Sequence, residues 1–304
     1  MKNSTIFNFV TSIINGGLQS NQKAESLTAI PALHACLPMQ DGTSPLTRFH
    51  SVKTFFTKKL SFCVLAIAIV TLNVTPASAQ DGEWNFLIEP YFMIPQMNGE
   101  IGVRQLPPGT VDASPDDIFS NLRMAAMLYF EADHVDKYAF SSDIIFMDLK
   151  QEAKPGQIVT GGDAFAKQIS AEFAWLKHIT PWFDLGAAAR ITDIKADLKL
   201  ETAAGPREGS NRKTWVDPVI IARAQTDLQD KWILEFRGDI GGFGIGSDLT
   251  WQVQANAGYR FSKLVHAKVG YRLLDIDYED GDGAERFMYD IATSGIVVKV
   301  GFNF

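Results

Sequence analysis

From about residue 84 to the C-terminus, apolar and polar residues alternate with period 2, the repeat of a β-strand whose one face meets an apolar medium. Leu249, Trp251, Val253, Ala255, Ala257, Tyr259 and Phe261 share one face of such a segment, and Thr250, Gln252, Gln254, Asn256, Gly258 and Arg260 share the other. Ile296, Val298, Val300, Phe302 and Phe304 lie opposite Val297, Lys299, Gly301 and Asn303. Residues 265–273 and 232–239 repeat the pattern, and looser alternation runs through 84–94, 123–131, 138–148, 167–176, 182–192 and 215–226. These segments predict about ten strands, with eight or twelve also compatible.

A soluble β-sandwich alternates in the same way. Two features favour a membrane barrel instead. The apolar face carries aromatic residues at strand ends: Trp84, Trp175, Phe183, Trp232, Trp251, Tyr259, Phe261, Phe302 and Phe304. Short connections (near 133–137, 178–181, 227–230 and 261–264) alternate with long or Gly-rich ones (near 95–121, 149–165, 201–213, 240–247 and 278–288). Both are marks of outer-membrane barrels. The expected fold is therefore all-β, an antiparallel transmembrane β-barrel of about ten strands. A short helix is expected in the first long loop, over Asp116–Leu122 and N-capped near Ser114.

Residues 53–79 read as a secretory signal peptide. Lys53, Lys58 and Lys59 precede the apolar run Leu60–Val74, and Ala77-Ser78-Ala79 offers a small-x-small cleavage site that would leave Gln80 first. The run is shorter than the ~20 residues a spanning helix needs. A lipoprotein reading at Cys63 fails on bulky Phe62. Residues 1–52 carry no motif and read as a non-structural extension, consistent with a true start near Val52; 80–304 is then the barrel. Both cysteines, Cys36 and Cys63, fall upstream of the cleavage site and make neither a disulfide framework nor a four-ligand zinc site. The net charge of −7 argues against a nucleic-acid partner.

The faces expected to point inward hold matched charges. The acids are Glu89, Glu131, Asp143, Glu172, Asp184, Asp217, Glu235 and Asp239; the bases are Arg123, Arg190, Arg223, Arg237, Arg260, Lys268, Arg272 and Lys299. A barrel of about eight to ten strands is largely filled by its own side chains, and buried charges persist only when paired. Two readings stay open: a structural salt-bridge network, or a narrow polar pathway with charge selectivity.

Other motifs weigh less. The Gly241–Gly246 stretch is no nucleotide cradle, because it lacks the G-x-G-x-x-G spacing and precedes a strand. Pro218 suggests a bulge or strand start. The acidic stretch Asp275–Asp282 fails the calcium-loop pattern, with Arg286 and Met288 where Glu is required. His134, His178 and His266 sit in or beside short turns, away from the outer mouth where a Ser–His pair would work. No enzyme activity, cofactor or metal is expected.

The segments Trp215-Val216-Asp217-Pro218-Val219, Gly238–Gln252 and Gly270–Leu274, with the terminal Phe304, resemble a family of largely uncharacterised Gram-negative outer-membrane β-barrel, porin-like proteins. The resemblance implies an outer-membrane location after export, contact with lipid and lipopolysaccharide, and Phe304 as a signal for the barrel assembly machinery. The leading function is limited passive diffusion of small solutes through a narrow charged lumen. The alternative is a non-conducting structural or adhesion barrel acting through its outer loops.

Overall fold

The computed structural model describes residues 84–304 apart from 104–107, 136, 154–158, 203–204, 229–230 and 284. The expected extension, signal peptide and cleavage site at Ala77, Ala79 and Gln80 lie outside the described residues. Among those described, eleven strands form one antiparallel sheet: β1 Trp84–Val103, β2 Gly109–Ala113, β3 Leu122–His134, β4 Tyr138–Glu152, β5 Val159–Thr180, β6 Phe183–Thr202, β7 Gly205–Leu228, β8 Trp232–Gly242, β9 Leu249–Arg260, β10 Val265–Asp280 and β11 Phe287–Asn303. Each pairs with its sequence neighbour, except that β1 pairs with both β2 and β3, and β11 returns to β1. Ten strands thus close a barrel, and β2 is a short flap on β1. Closure pairs the backbone around the apolar belt and leaves an open sheet edge only along one stretch of β1, described below. The closing ladder reaches the last residue, where Phe86 N donates to Phe304 O (3.1 Å) and Phe304 N to Phe86 O (2.8 Å).

Trp84, Phe304 and the connections β3–β4, β5–β6, β7–β8 and β9–β10 lie at one end of the barrel, the near end. From there upward, outward side chains are apolar: Phe140 and Ile144 on β4, Phe173 and Trp175 on β5, Leu185 on β6, Val269 and Tyr271 on β10, Ile296 and Val298 on β11, all exposed. Aromatic contacts ring the near end, including Trp84 edge-on to Tyr138 (5.8 Å) and Trp232 to Tyr259 (5.2 Å).

Higher up, the polarity of both faces reverses while the alternation continues unbroken. On β6 the outward row passes from Leu185, Ala187, Ala189 and Ile191 to Asp193, Lys195, Asp197 and Lys199; the inward row passes from Asp184 and Arg190 to Ile194, Ala196 and Leu198. On β10 Leu273 gives way to Asp275 and Asp277 outside, and Arg272 to Leu274 and Ile276 inside. β1, β4, β5 and β11 reverse at the matching level. The lower part is a membrane-type barrel, apolar outside and charged inside. The upper part is a water-type barrel with an apolar core. The continuous strand pairing makes them one body.

Several expected loops are therefore strand. The segments near 149–165 and 201–213 are mostly ladder, because β5, β6 and β7 run for 22, 20 and 24 residues and project beyond the apolar belt. β8 and β9 have only 11 and 12 residues and stop at its top. Pro218 marks neither a bulge nor a strand start: it lies within β7, just beyond the β7–β8 ladder that begins at Val219↔Gly241. The β8–β9 turn needs positive φ at Gly242 (86°), Phe243 (53°) and Gly244 (71°).

The expected helix forms as α1, Pro115–Asn121. Ser114 caps it, accepting from Asp117 N (3.3 Å), and Asp117 Oδ2 accepts from Ser114 N (3.1 Å), a reciprocal capping box. α1 occupies a fault in the wall. β1 pairs with β3 only over Trp84–Pro90 and with β2 only over Met97–Ile101, so Tyr91–Gln96 lack a partner on that side. Ile118 turns inward, buried in the apolar core. Phe119 stacks on Phe92, an outward residue of β1 (5.5 Å, 18°).

Candidate functional site

The lower lumen is crossed by four polar clusters. In the first, Arg190 on β6 donates to Glu172 on β5 (2.8 Å), Asp239 on β8 (2.8 Å) and Thr250 on β9 (3.2 Å). Arg237 donates to the same two carboxylates, at 2.7 and 2.9 Å. In the second, Arg223 on β7 reaches across to Glu131 on β3 and also holds Asp184 (2.8 Å). In the third, Lys268 bridges Glu89 (2.6 Å) and Glu235 (2.7 Å), with His266 (2.7 Å) and Lys299 (3.5 Å) also on Glu89. In the fourth, Arg272 on β10 meets Asp143 on β4 (3.1 Å), whose other oxygen accepts from Tyr91 (2.6 Å). Each cluster joins strands that are not neighbours, so each is a strut across the interior.

Of the sixteen charged residues expected inside, fourteen face the lumen in this way or, for Arg260, on the inward row at the near end of β9. Arg123 does not. The β3–β4 ladder shifts register between Leu122 and Met124, and Arg123 turns to the outer wall beside Asp148 (3.4 Å), half exposed. Asp217 points inward but ties down a turn instead of joining the struts. Its Oδ1 accepts from Ser247 N (2.6 Å) and Oγ (2.7 Å), and its Oδ2 from Trp215 Nε1 (3.1 Å). The neutral groups Tyr91, Tyr129, Gln252 and Asn256 are partners that counting charges alone does not find. Their inward parity on the same strands was the available signal.

The three histidines among the described residues lie toward the near end. His134 meets Trp84 edge-to-face (5.0 Å, 73°). His178 lies between Asp184 (2.6 Å) and Asp133 (3.3 Å). His266 is the buried partner of Glu89 already described.

Above the struts the lumen is apolar. Met97, Ile101, Val111, Ile118, Ile194, Leu198, Ile276, Phe287, Tyr289 and Ile291 belong to one buried cluster. Trp215 on β7 stacks on Tyr278 on β10 (4.1 Å, 12°) above the low β8–β9 turn, and Lys213 pairs with Asp280 beside them (2.9 Å). Side chains thus close the wall where β8 and β9 stop short. Burial, with Asp280 nearby, pushes the Tyr278 phenol up to about 12.

Outside the far rim, carboxylates face one another across strands: Glu100↔Asp290↔Asp277. Like charges directly opposite are destabilising. Burial, then Asp290 and its acidic neighbours, hold Asp277 above the usual aspartate range. A raised folded-state pKa disfavours the fold above that pKa, and the penalty disappears as pH falls through it. Asp290→Asn is therefore expected to slow amide exchange at the outer rungs of β10–β11 at neutral pH, and to lose that advantage in acid. An advantage that persisted at low pH would assign it to packing instead.

No protein-family model matches the chain, and neither does any curated protein. Solved structures similar to it include the outer-membrane protease OmpT from Escherichia coli, at 9% identity and a TM-score of 0.44, covering 73% of this chain and 96% of that one. The translocator domain of the autotransporter NalP from Neisseria meningitidis is similar at 10% identity and 0.36, covering 85% and 99%. Ail, the attachment invasion locus protein of Yersinia pestis, is similar at 8% and 0.31, covering 73% and 99%. The closed ladder, the apolar aromatic-ringed belt and the charged lower lumen make this chain an antiparallel ten-strand β-barrel of the outer-membrane type.

Proposed function

We propose that the protein is a non-conducting barrel of the bacterial outer membrane, with its near end in the periplasm and its tall β5–β7 wall outside the cell. The observation that carries this reading is the two-level lumen. Below, four clusters of paired charges span it; above, a packed apolar core fills it. A hydrated ion would have to break paired charges and then cross apolar packing, both costly steps. The working surface is then the far end. The terminal strand ending at Phe304 serves as the sequence read by the barrel assembly machinery, and the outer wall at Arg123, Lys150 and Lys167 meets lipopolysaccharide.

The test is conductance of the refolded 80–304 chain in planar bilayers, with heat-modifiable mobility as the folding control. A folded, silent barrel is expected. Steady single-channel steps would overturn the reading in favour of limited diffusion of small solutes. The feature that supports that second reading is a polar void among Tyr129, Asp143, Arg223, Glu235, Arg237 and Lys299. If such a pathway conducts, charge reversal at Arg237 shifts its ion selectivity.

A further inference from the structure

The four struts meet around one small polar void. Arg237 of the first cluster, Arg223 of the second, Glu235 and Lys299 of the third and Asp143 of the fourth line it, together with Tyr129. It has room for about one water-sized particle. These residues stand on β3, β4, β7, β8 and β11, so the void is a hub that every cluster shares.

The acids of this lining are fully engaged and the cations are not. One oxygen of Asp143 accepts from Tyr91 and the other from Arg272. One oxygen of Glu235 accepts from Asn256 and the other from Lys268. A guanidinium or an ammonium can only donate. Among the described residues Arg223 donates through Nε and Nη1, and its Nη2 has no partner. Arg237 donates through Nε and Nη2, and its Nη1 has no partner. Lys299 is the extreme case. Its side chain is 7% exposed, and its ammonium has one carboxylate oxygen, on Glu89, at 3.5 Å, longer than a good hydrogen bond. Its other contacts are the ring faces of Tyr91 (5.3 Å) and Tyr129 (5.1 Å).

A buried donor without an acceptor is costly, and three cations with spare donors border one small space. We propose that the hub is a binding site for a single monatomic, monovalent anion, chloride in ordinary salt, held by Arg223, Arg237 and Lys299. A water molecule has two lone pairs to offer three cations. A halide accepts from all three and adds a charge of the fitting sign. The void is too small for sulfate or phosphate, and Asp143 and Glu235 in the lining disfavour a second negative charge. A bound anion ties the four struts to one another at their common point. The inference rests on the closed-lumen reading above, in which the void is a dead end and not part of a pathway.

The probe is bromide. The intact barrel, purified in detergent, is crystallised with sodium bromide in place of chloride. One anomalous bromide peak among Arg223, Arg237 and Lys299 is expected. An ordered water only, or bromide on the outer surface only, overturns the proposal. A second measurement needs no crystal: urea unfolding from lipid vesicles, with gluconate replaced by chloride at fixed ionic strength. Above the dissociation constant, a tenfold rise in chloride should raise the folding equilibrium constant about tenfold, the mass-action slope for one ion bound only by the folded state. Stability indifferent to chloride overturns the proposal. Lys299→Met keeps the aliphatic stem and removes the ammonium. It should keep heat-modifiable mobility and lose the chloride response, and an unchanged response overturns the role of Lys299. Conductance on the same preparation separates the two readings. A conducting barrel with bromide at the hub refutes closure alone; a silent barrel with water there refutes the anion site alone.

Discussion

Arg190→Met is expected to destabilise the barrel by about 3–5 kcal/mol, the usual cost of removing one partner from a buried ion pair. The Arg190 side chain is only 2% exposed and is shared by Glu172 and Asp239. Without it the two carboxylates compete for Arg237 in an interior where water does not replace the lost partner. The urea midpoint for unfolding from lipid vesicles reads the effect. Replacing Glu172 by Gln in the same background should recover part of the loss, because the two residues belong to one cluster and their effects are not additive. A loss below about 1 kcal/mol would mean that the charges are solvated, as in exposed pairs, and the closed lumen would then be untenable.

Ile118→Asp is expected to unseat α1 at a cost of about 3 kcal/mol, the range for placing an unpaired polar group in a core. The damage should be local. α1 takes no part in the β1–β11 or lower β1–β3 ladders, so the barrel should remain folded and heat-modifiable. The segment 109–121 should become sensitive to added protease. Loss of the folded barrel would show that α1 is needed for closure, and unchanged protease resistance would show that Ile118 does not anchor it.

The period-2 pattern located the strands because the apolar belt forces it. Trp251, Val253 and Ala255 have no alternative to facing lipid when Gln252 and Gln254 face the lumen. The far ends of the strands were less visible because the solvent changes there. Lys195, Asp197 and Lys199 look like a charged loop to any reading that expects apolar residues outward. Their alternation with Ile194, Ala196 and Leu198 is as regular as below, with the polarity exchanged. That exchange of polarity is the sequence mark of the upper core and of the full length of β5–β7. α1 was legible from Ser114, Pro115 and Asp117, whose capping chemistry is local. The turn to the outside at Arg123 was not, since a register shift depends on how β3 meets β4. The role of Asp217 as a turn anchor was hidden for a similar reason: Ser247 reaches it from the β8–β9 turn, across a connection whose height is set by strand length.

The unequal heights of the strands also distribute tolerance for foreign sequence. The connection between β6 and β7 crowns a hairpin whose last rungs, Glu201↔Pro206 and Thr202↔Gly205, stand far from the belt. A peptide grafted beyond Thr202 would extend that hairpin and leave the ladders of the belt untouched. The Gly242–Asp248 turn is the reverse case: Ser247 is held on Asp217, and a Cβ at Gly246 would meet Val216 O at 2.3 Å. As a carrier of foreign sequence, the same molecule offers one permissive mast and one closed deck.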